Sequence, residues 1–499
     1  MALKVKYIVV QAGGKGLRLG HLTQNKPKAL VPAHNLPMLF HLFKKYPDKL
    51  FLVIADYKKD VMRKYLDCFA EVKYKVIDAS GTGTCSGIKQ ALRLIPDEEP
   101  FMLVWSDLIL SENFEIPKDD GNYIGISQTF SCRWSYQNGS FAYAPSDAYG
   151  VAGLFIFKCK AEISDVPESG EFVQWLQAKG LLFKELGLAG TKEFGILSEY
   201  EKLEQEKCRP FNRITSDGNG ILTKEGIDEQ GRRLAQLEAK WYEQAGFFGV
   251  ENIPKIYQAN PIKMELIPGI SLYDCHPSRK GKKEILLKLS NALKNLHAKK
   301  QEPADPLSLY EAYYMKTMGR LSKIRDLVPF ADQKTIKVNE KECRNVFYFN
   351  RDLERKLEAL KCESFAFIHG DCTFSNIILK NGLEPVLIDP RGYFGCTEIY
   401  GDPLYDWAKL YYSLSGNYDR FNLKDFKLAI AENSVNLKIG SNKWEDMEQD
   451  FFDASGANPD YIKLVHAVIW LSLTTYAWQD YDSICGAFYN GLYHLEDVL

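Results

Sequence analysis

Two groups of residues in this 499-residue chain have the types and spacing to work on phosphates. Near the N-terminus the apolar run Tyr7-Ile8-Val9-Val10 leads into Gln11-Ala12-Gly13-Gly14-Lys15-Gly16-Leu17-Arg18-Leu19. The glycines let the backbone approach a bound group and turn several N–H groups toward it, and a helix starting after the loop would add its positive dipole end. Arg18 supplies a full positive charge, as does Lys28 in Asn25-Lys26-Pro27-Lys28-Ala29-Leu30-Val31-Pro32. The glycine spacing is not G-x-G-x-x-G, and no acidic residue ends the second strand at the distance a dinucleotide-binding turn requires. The second group is Asp371 and Asn376, in His369-Gly370-Asp371-Cys372-Thr373-Phe374-Ser375-Asn376, followed by Asp389 after Pro385-Val386-Leu387-Ile388. Phosphoryl transfer needs one carboxylate to position and deprotonate the attacking hydroxyl, and an amide plus a second carboxylate to hold Mg²⁺ on the nucleotide phosphates. Asp371, Asn376 and Asp389 are such a set.

The elements that must position these residues change character along the chain. Up to about residue 160, short apolar runs (7–10, 50–55, 75–78, 101–105) alternate with helical segments. Their continuous rather than alternating apolarity predicts strands buried on both faces of a parallel sheet, an α/β layer architecture. A further strand is expected over 151–157 and a helix over 172–179. A charged, irregular stretch at about 200–212 marks a boundary, giving domains 1–205 and 206–499. Beyond it, Asp217-Gly218-Asn219-Gly220 signals a hairpin, followed by a β-like run ending at Lys224 and a helix over 230–244. From about residue 269 the chain reads as mostly helical, with Ile285, Leu286, Leu289, Leu293 and Leu296 forming one apolar stripe.

Composition sets the remaining bounds. With 45% hydrophobic and 26% charged residues and a net charge of −2, the chain is globular and lacks the basic excess that draws nucleic acid or an acidic membrane surface. Phosphate binding must then come from local sites. Eleven cysteines show neither a C-x-x-C pair nor a Cys/His cluster at zinc-ligand spacing, which predicts reduced thiols. The N-terminal apolar run is too short for a signal peptide, and the stretch 464–476 falls short of the ~20 residues that cross a bilayer. A cytoplasmic protein without a membrane or nucleic-acid partner is the expectation.

Gly13-Gly14-Lys15-Gly16-Leu17-Arg18-Leu19, Leu22-Thr23, Lys26-Pro27-Lys28-Ala29-Leu30-Val31-Pro32 and Pro37-Met38-Leu39 together resemble the signature of sugar-phosphate and phosphocholine nucleotidyltransferases. The resemblance implies a Rossmann-like mixed-sheet domain that joins a phosphate monoester to an NTP and releases pyrophosphate. It implies that Ala12, Gly13, Gly14, Lys15 and Gly16 hold the base and phosphates. Arg18 would neutralise the β- and γ-phosphates, Lys28 would stand by the α-phosphate, and Gly83 and Thr84 would contact the base. Asp107, in Trp105-Ser106-Asp107, matches the carboxylate that holds Mg²⁺, and a strand-end carboxylate lies where open α/β sheets place ligands. The second metal position, usually Asp, falls on Glu193. The domain is short, like the compact cytidylyltransferases for phosphocholine-type substrates.

His369-Gly370-Asp371 with Asn376, then Ile388-Asp389-Pro390, is similar to the aminoglycoside phosphotransferase and choline kinase superfamily, and the five-residue offset from Asp371 to Asn376 matches the kinase catalytic-loop pattern. Asp389-Pro390-Arg391-Gly392 followed by Tyr400-Gly401-Asp402-Pro403 resembles kinase-like proteins of bacterial capsule and surface-polysaccharide clusters. The resemblance implies an α+β protein-kinase-like domain, with an N-lobe at about 206–268 and a C-lobe at about 269–499. Lys224 would grip the α- and β-phosphates of ATP and Glu238 would pair with it. Met264-Glu265-Leu266-Ile267-Pro268-Gly269 would meet adenine through the backbone at Glu265 and Ile267. His369 is expected to brace the catalytic loop and Asp406 to anchor it. Arg391 either reaches an anionic or hydroxyl group of the acceptor or pairs with an acid such as Asp402.

Together these readings predict phosphorylation of a small hydroxylated metabolite with ATP, then transfer of NMP from a second NTP, CTP or UTP, with Mg²⁺ at both steps. A sugar or polyol is one acceptor, giving an activated precursor for surface polysaccharide. Choline or a related amino alcohol is the other, and it would need an aromatic cage, for which Tyr310, Tyr313, Tyr314, Trp407, Tyr411, Tyr412, Trp470 and Trp478 are available beside their alternative role as packed core. A reading of another class makes one domain a nucleotide sensor that regulates the other.

Overall fold

The computed structural model describes residues 3–203 and 212–499. They cluster into two compact units, one within Met1–Gln205 together with Gln479–Asp482, the other within Glu206–Trp478 and Ser483–Leu499. The boundary expected between 205 and 206 falls outside the described residues.

The first unit is a mixed α/β, Rossmann-like domain on a nine-stranded sheet. Tyr7–Gln11 lies between Leu50–Ala55 and Phe101–Trp105, parallel to both. Their aliphatic and aromatic runs are covered on both faces, which is why they read as continuous apolarity. The run at Lys73–Asp78 departs from that expectation. It is the edge strand beside Leu50–Ala55, and Lys73, Lys75 and Asp78 face solvent, charges that block further strand pairing. On the other side Gly150–Phe157 runs antiparallel to both Phe101–Trp105 and Tyr123–Ser127, making the sheet mixed. Phe172–Lys179 is helical. Phe155, Phe157, Phe172 and Phe183 gather with Leu103, Val9 and Ile88 in the core beneath. Asp480 and Asp482, from the short segment that joins this unit, hold the buried ammonium of Lys26 at 2.9 and 2.5 Å.

One expectation at the glycine-rich loop fails. No α-helix follows it. Leu17–Thr23 forms 3₁₀ turns broken at Gly20, whose φ of 55° and ψ of −122° lie outside helical space, so no helix dipole of several turns stands behind the loop. Gly16 enters this segment at φ 63°, and a Cβ there would stand 2.9 Å from Thr23 Cγ2 and 3.0 Å from Lys28 Cβ. The glycine lets the chain fold back tightly enough to set Lys28 under the loop.

The second unit opens with a four-stranded antiparallel sheet, Asn212–Ser216, Ile221–Gly226, Ile262–Glu265 and Ile256–Gln258 in that order. The Asp217 carboxylate closes its first hairpin by accepting from the amides of Asn219 and Ile221. Helix Glu229–Phe247, N-capped by Asp228, packs on this sheet. The later chain contains the helices Arg279–Ala298, Lys316–Ile324, Pro403–Leu414, Pro459–Leu473 and Tyr481–Leu495. It is less purely helical than the sequence suggests. Strands of two to five residues form further small sheets, among them Gly269–Ser271 with Ile377–Lys380 and Glu384–Leu387. Runs this short do not establish a period of two. The core joins Trp241, Leu289, Leu293, Phe367, Phe374, Trp407 and Trp444. Among the described residues no helix is long and apolar enough to cross a membrane, and the described cysteines are free.

Phe155 is fully buried with ring neighbours Trp105, Phe172 and Phe183 at 5.5, 5.4 and 5.9 Å. Phe155→Ala should lower the stability of the first unit by about 3–5 kcal/mol, measured as the shift in its urea-unfolding midpoint at constant slope. A loss below ~1 kcal/mol, the range of surface changes, would show that this ring cluster does not hold the unit together.

Candidate functional sites

The first site forms where strand ends meet. Trp105 ends the strand beside Tyr7–Gln11, and Asp107 follows two positions later. Leu108–Ile109 then pairs with Lys192–Glu193, and this two-residue ladder brings Glu193 to Asp107 across 86 positions of sequence. Lys28 donates a hydrogen bond to the Asp107 carboxylate. Arg18 stands 3.9 Å from Glu193, its side chain largely in solvent. Gly195 closes the group. A Cβ there would lie 1.9 Å from Glu193 Oε1, 2.8 Å from Lys28 Nζ and 3.0 Å from Asp107 Oδ2, so the three charged ends converge on one spot that a side chain at 195 would fill. Burial, with Asp107 beside it, pushes Glu193 up to about 7. Burial acts upward on Asp107 too, but Lys28 outweighs it and holds that carboxyl below its usual range.

The loop Ala12 to Gly16 meets this group at Gly16, which packs against Lys28; Ala12 is buried and Gly14 and Lys15 are exposed. Ala12 donates its amide to Ile54 O. Gln11 Nε2 donates to Thr84 O at 2.6 Å, which ties the loop to Gly83 and Thr84. Thr84 Oγ1 in turn donates to Glu171 and accepts from the Phe172 amide. Sequence reading missed Gln11 and Glu171 as fasteners of this loop, because their partners are more than 70 positions away.

The second site joins the sheet and helix that open the unit to a later loop. Lys224 lies inside the strand Ile221–Gly226, not at its end. Its ammonium is 2.7 Å from Glu238 on the helix Glu229–Phe247 and 2.9 Å from Asp389. Burial pulls the Lys224 pKa down, but Asp389 and Glu238 more than restore it, so it stays cationic. Asn376 Nδ2 donates to the backbone oxygen and the carboxylate of Asp371 at 2.9 and 3.1 Å, and the Ile388 amide donates to Asn376 O, so Asp389 follows directly from that contact. Asp389 adopts φ 57°, a left-handed conformation that costs a non-glycine residue on the order of 1–3 kcal/mol and tends to mark functional positions.

Beneath the loop, the buried Asp406 carboxylate accepts from the amides of His369 and Gly370 at 2.9 and 2.7 Å and lies 3.0 Å from His297 Nε2. His369 Nδ1 accepts from the Asp371 amide. Arg391 does not pair with Asp402. It donates to the hydroxyls of Tyr405 and Tyr393 at 2.9 and 2.8 Å, while Asp402 caps the helix Pro403–Leu414 and accepts from Tyr313. In the 264–269 segment, the amides of Glu265 and Leu266 are held by Lys255 O and Gly220 O, and Ile267 is buried. Lys409, which sequence reading did not single out, stands 2.8 Å from Asp371. Its position seven residues after Asp402 on an amphipathic helix carries no signal of that contact.

Two places offer oxygens that could hold part of a divalent cation's shell. Asp107 with Glu193 offers paired carboxylate oxygens, and Asp389 offers a carboxylate beside Asn376, whose amide nitrogen is committed to Asp371. Among the described residues no group of three or more His, Cys, Asp or Glu is gathered, so a cation at either site would complete its shell from nucleotide phosphates and water.

Residues 7–117 match the protein family described as nucleotidyl transferase, and the first unit carries a nucleotidyltransferase domain. The chain is similar to the UTP–glucose-1-phosphate uridylyltransferase AglF of Haloferax volcanii, with 34% identity over 110 residues, covering 21% of this chain and 44% of that protein. It is also similar to the bifunctional protein GlmU of Methanocaldococcus jannaschii, 28% identical over 109 residues, covering 21% of this chain and 26% of that one. The chain thus spans less than half the length of these curated relatives. Among solved structures, HddC from Yersinia pseudotuberculosis aligns with 40% of this chain and 98% of its own at 22% identity and a TM-score of 0.34. The CTP:phosphocholine cytidylyltransferase LicC from Streptococcus pneumoniae aligns over 40% and 98% at 17% identity and a TM-score of 0.32.

Asp406→Ala would leave two buried amides and His297 without their acceptor. An expected loss of about 3 kcal/mol or more follows from ~1–3 kcal/mol for each unsatisfied buried group, read from urea unfolding of the second unit. An unchanged midpoint would remove Asp406 as the anchor of the 369–371 loop.

Proposed function

We propose that this chain carries two phosphate-transfer activities. The first unit transfers NMP from an NTP, CTP or UTP, to a phosphate monoester. A monoester oxygen attacks the α-phosphorus, the bond to the α–β bridging oxygen breaks, and pyrophosphate leaves. The observation that carries this reading is the convergence of Lys28, Asp107 and Glu193 on one spot within the unit that holds the nucleotidyltransferase domain. In this reading Lys28 meets the charge that builds on the α-phosphate, Arg18 neutralises the departing phosphates, and the loop from Ala12 to Gly16 with Gly83 and Thr84 holds the nucleotide. Mg²⁺ at Asp107 and Glu193, where bound, would neutralise phosphate charge. Of the relatives, AglF bears the name of a glucose-1-phosphate uridylyltransferase, which makes sugar phosphates a natural first panel.

The second unit, in this proposal, has a protein-kinase-like fold and phosphorylates a small hydroxylated metabolite with ATP. Supporting it are the Lys224–Glu238 pair closing on Asp389 and the contact of Asn376 with Asp371. The acceptor hydroxyl oxygen attacks the γ-phosphorus, its proton passes to the Asp371 carboxylate, and the bond to the β–γ bridging oxygen breaks to release ADP. Asn376 and Asp389 would hold Mg²⁺, and the backbone at Glu265 and Ile267 would face adenine. The order is phosphate first and nucleotide second, giving a cytoplasmic NDP-activated precursor of the kind used in surface-polysaccharide assembly.

Pyrophosphate release from purified protein with Mg²⁺, each NTP and a panel of phosphate monoesters tests the first activity. Lys28→Ala should lower its kcat about 10²–10³-fold, the usual cost of removing one preorganised charge-stabilising donor. No release with any pair would end that half of the proposal. ADP release across hydroxylated acceptors tests the second. Asp371→Asn should reduce it by about 10²–10⁴-fold, the range for a general base, and leave pyrophosphate release intact. An unchanged ADP rate would remove Asp371 as the base.

A further inference from the structure

Positive charge surrounds the acceptor side of the second site. Lys316 and Arg320 are four residues apart on the helix Lys316–Ile324 and so share one face. That helix follows directly on the π-helical turn Glu311–Met315, an irregularity often found at functional sites. Lys316, Arg391, Tyr393, Tyr405 and Glu311 line a cavity of about 70 Å³, several times the room that one water needs. Arg320 and Lys409 are close enough that their charges, with that of Arg391, act on Lys316. Lys409 is itself the partner of Asp371. Four cations therefore meet two carboxylates, Asp371 and Glu311.

The hydrogen bonds of the arginines go to neutral groups. Arg391 donates to two phenols, using two of its five N–H donors, and Arg320 donates to the carbonyl and hydroxyl of Ser472. The Lys316 ammonium makes no hydrogen bond or ion pair among the described residues. Burial first, then the Arg391, Arg320 and Lys409 charges, press its pKa well down, and Glu311 offsets them only in part.

The aromatic faces are taken as well. Arg391 lies over Tyr393 at 4.5 Å, Lys316 over Tyr405 at 5.8 Å, Lys409 over Tyr412 at 5.3 Å and Arg320 over Tyr476 at 5.8 Å. A quaternary ammonium would need these faces for itself and would meet basic side chains on them. Of the aromatics named as a possible cage, Tyr412 faces Lys409, and Tyr393, Tyr405 and Tyr476 beside the site likewise face the protein's own basic side chains.

We infer that the acceptor phosphorylated by the second unit is an anion, a small hydroxy acid or hydroxy phosphate ester whose charged group sits among Lys316, Arg320 and Arg391 while its hydroxyl meets Asp371. This rests on the kinase reading above. The planar fork of an arginine beside a lysine point charge suits a carboxylate or a phosphate equally. The acceptor's anionic group stays intact through the transfer, and the hydroxyl oxygen alone forms the new bond to phosphorus.

The test uses the full chain in two arms. In the first, ADP release is measured with matched sets of hydroxy carboxylates, hydroxy phosphates, neutral polyols and amino alcohols, and the kinetics of the best acceptor are repeated in Lys316→Met and Arg320→Met. The expected result is a carboxylate or phosphate as best acceptor, with its KM raised tenfold or more in the variants and the KM for ATP within twofold. A neutral or cationic best acceptor, or a rise confined to the KM for ATP, overturns the inference. In the second arm, Tm is followed without nucleotide as inorganic phosphate or glycerate is added. Stabilisation of the wild type that is lost in Lys316→Met supports the anion site even where no acceptor releases ADP, an outcome that would sink the kinase reading alone. Equal shifts, or none, in wild type and variant overturn the inference.

Discussion

A lysine ammonium taken out of water is costly without a carboxylate in hydrogen-bond reach, and three lysines of the two sites are held by one or two carboxylates. Lys28 is bound to Asp107 in the first unit; in the second, Lys224 is held by Glu238 and Asp389, and Lys409 by Asp371. In each case the two ends come from different elements. The pair therefore fixes where a loop or helix stands as well as where a charge stands. Removing the carboxylate of Lys28 or Lys409 would leave a largely buried ammonium without that partner, which is costlier than losing the contact itself. The same pairs keep cations ready beside the places where phosphate charge would arrive.

The two units solve the positioning problem differently. In the first, a parallel core of strands delivers Gln11 and Trp105 side by side, and the loops that leave these ends carry Gly13 to Gly16 and Asp107. A two-residue strand pairing then adds Glu193. In the second, the loop from His369 to Asn376 has little regular structure of its own and takes its shape from a buried acceptor, Asp406, that collects its amides. A rigid sheet edge can hold a site by its ladder alone, whereas an irregular loop needs a side chain to satisfy its backbone.

Charge also distinguishes what each site can accept. The first mixes Arg18 and Lys28 with two carboxylates, a balance suited to phosphates accompanied by a cation. Around Tyr393 and Tyr405 the second carries more positive charge than the neighbouring acids neutralise, and the rings are covered by arginine and lysine. Aromatic content at 13% of the chain gave no way to tell a cation cage from a surface already filled by the protein's own cations.

Much of this was legible from the sequence. The apolar runs at 7–10, 50–55 and 101–105 became central strands because burial on both faces leaves no polar alternation to mislead the reading. The Asp217-Gly218-Asn219-Gly220 turn, the helices near 172–179 and 230–244 and the glycine-rich loop were local, set by propensity and turn chemistry within a few residues. Residue types named Lys28, Asp371, Asn376 and Asp389 as groups able to handle phosphate, and the nucleotidyltransferase resemblance added Asp107. Only the tertiary structure decided that Lys73–Asp78 is an edge, that 3₁₀ turns replace the helix after Gly16, and that short strands thread the later chain. It alone set Arg391 against tyrosine hydroxyls and not Asp402, brought Lys409 to Asp371, and crowded Lys316 and Arg320 toward Arg391. Apart from Arg391 with Tyr393, two positions away, these contacts join residues 14 to 75 positions apart. A sequence pattern records which groups are present and how they repeat locally, but distances between remote side chains are fixed only when the backbone closes.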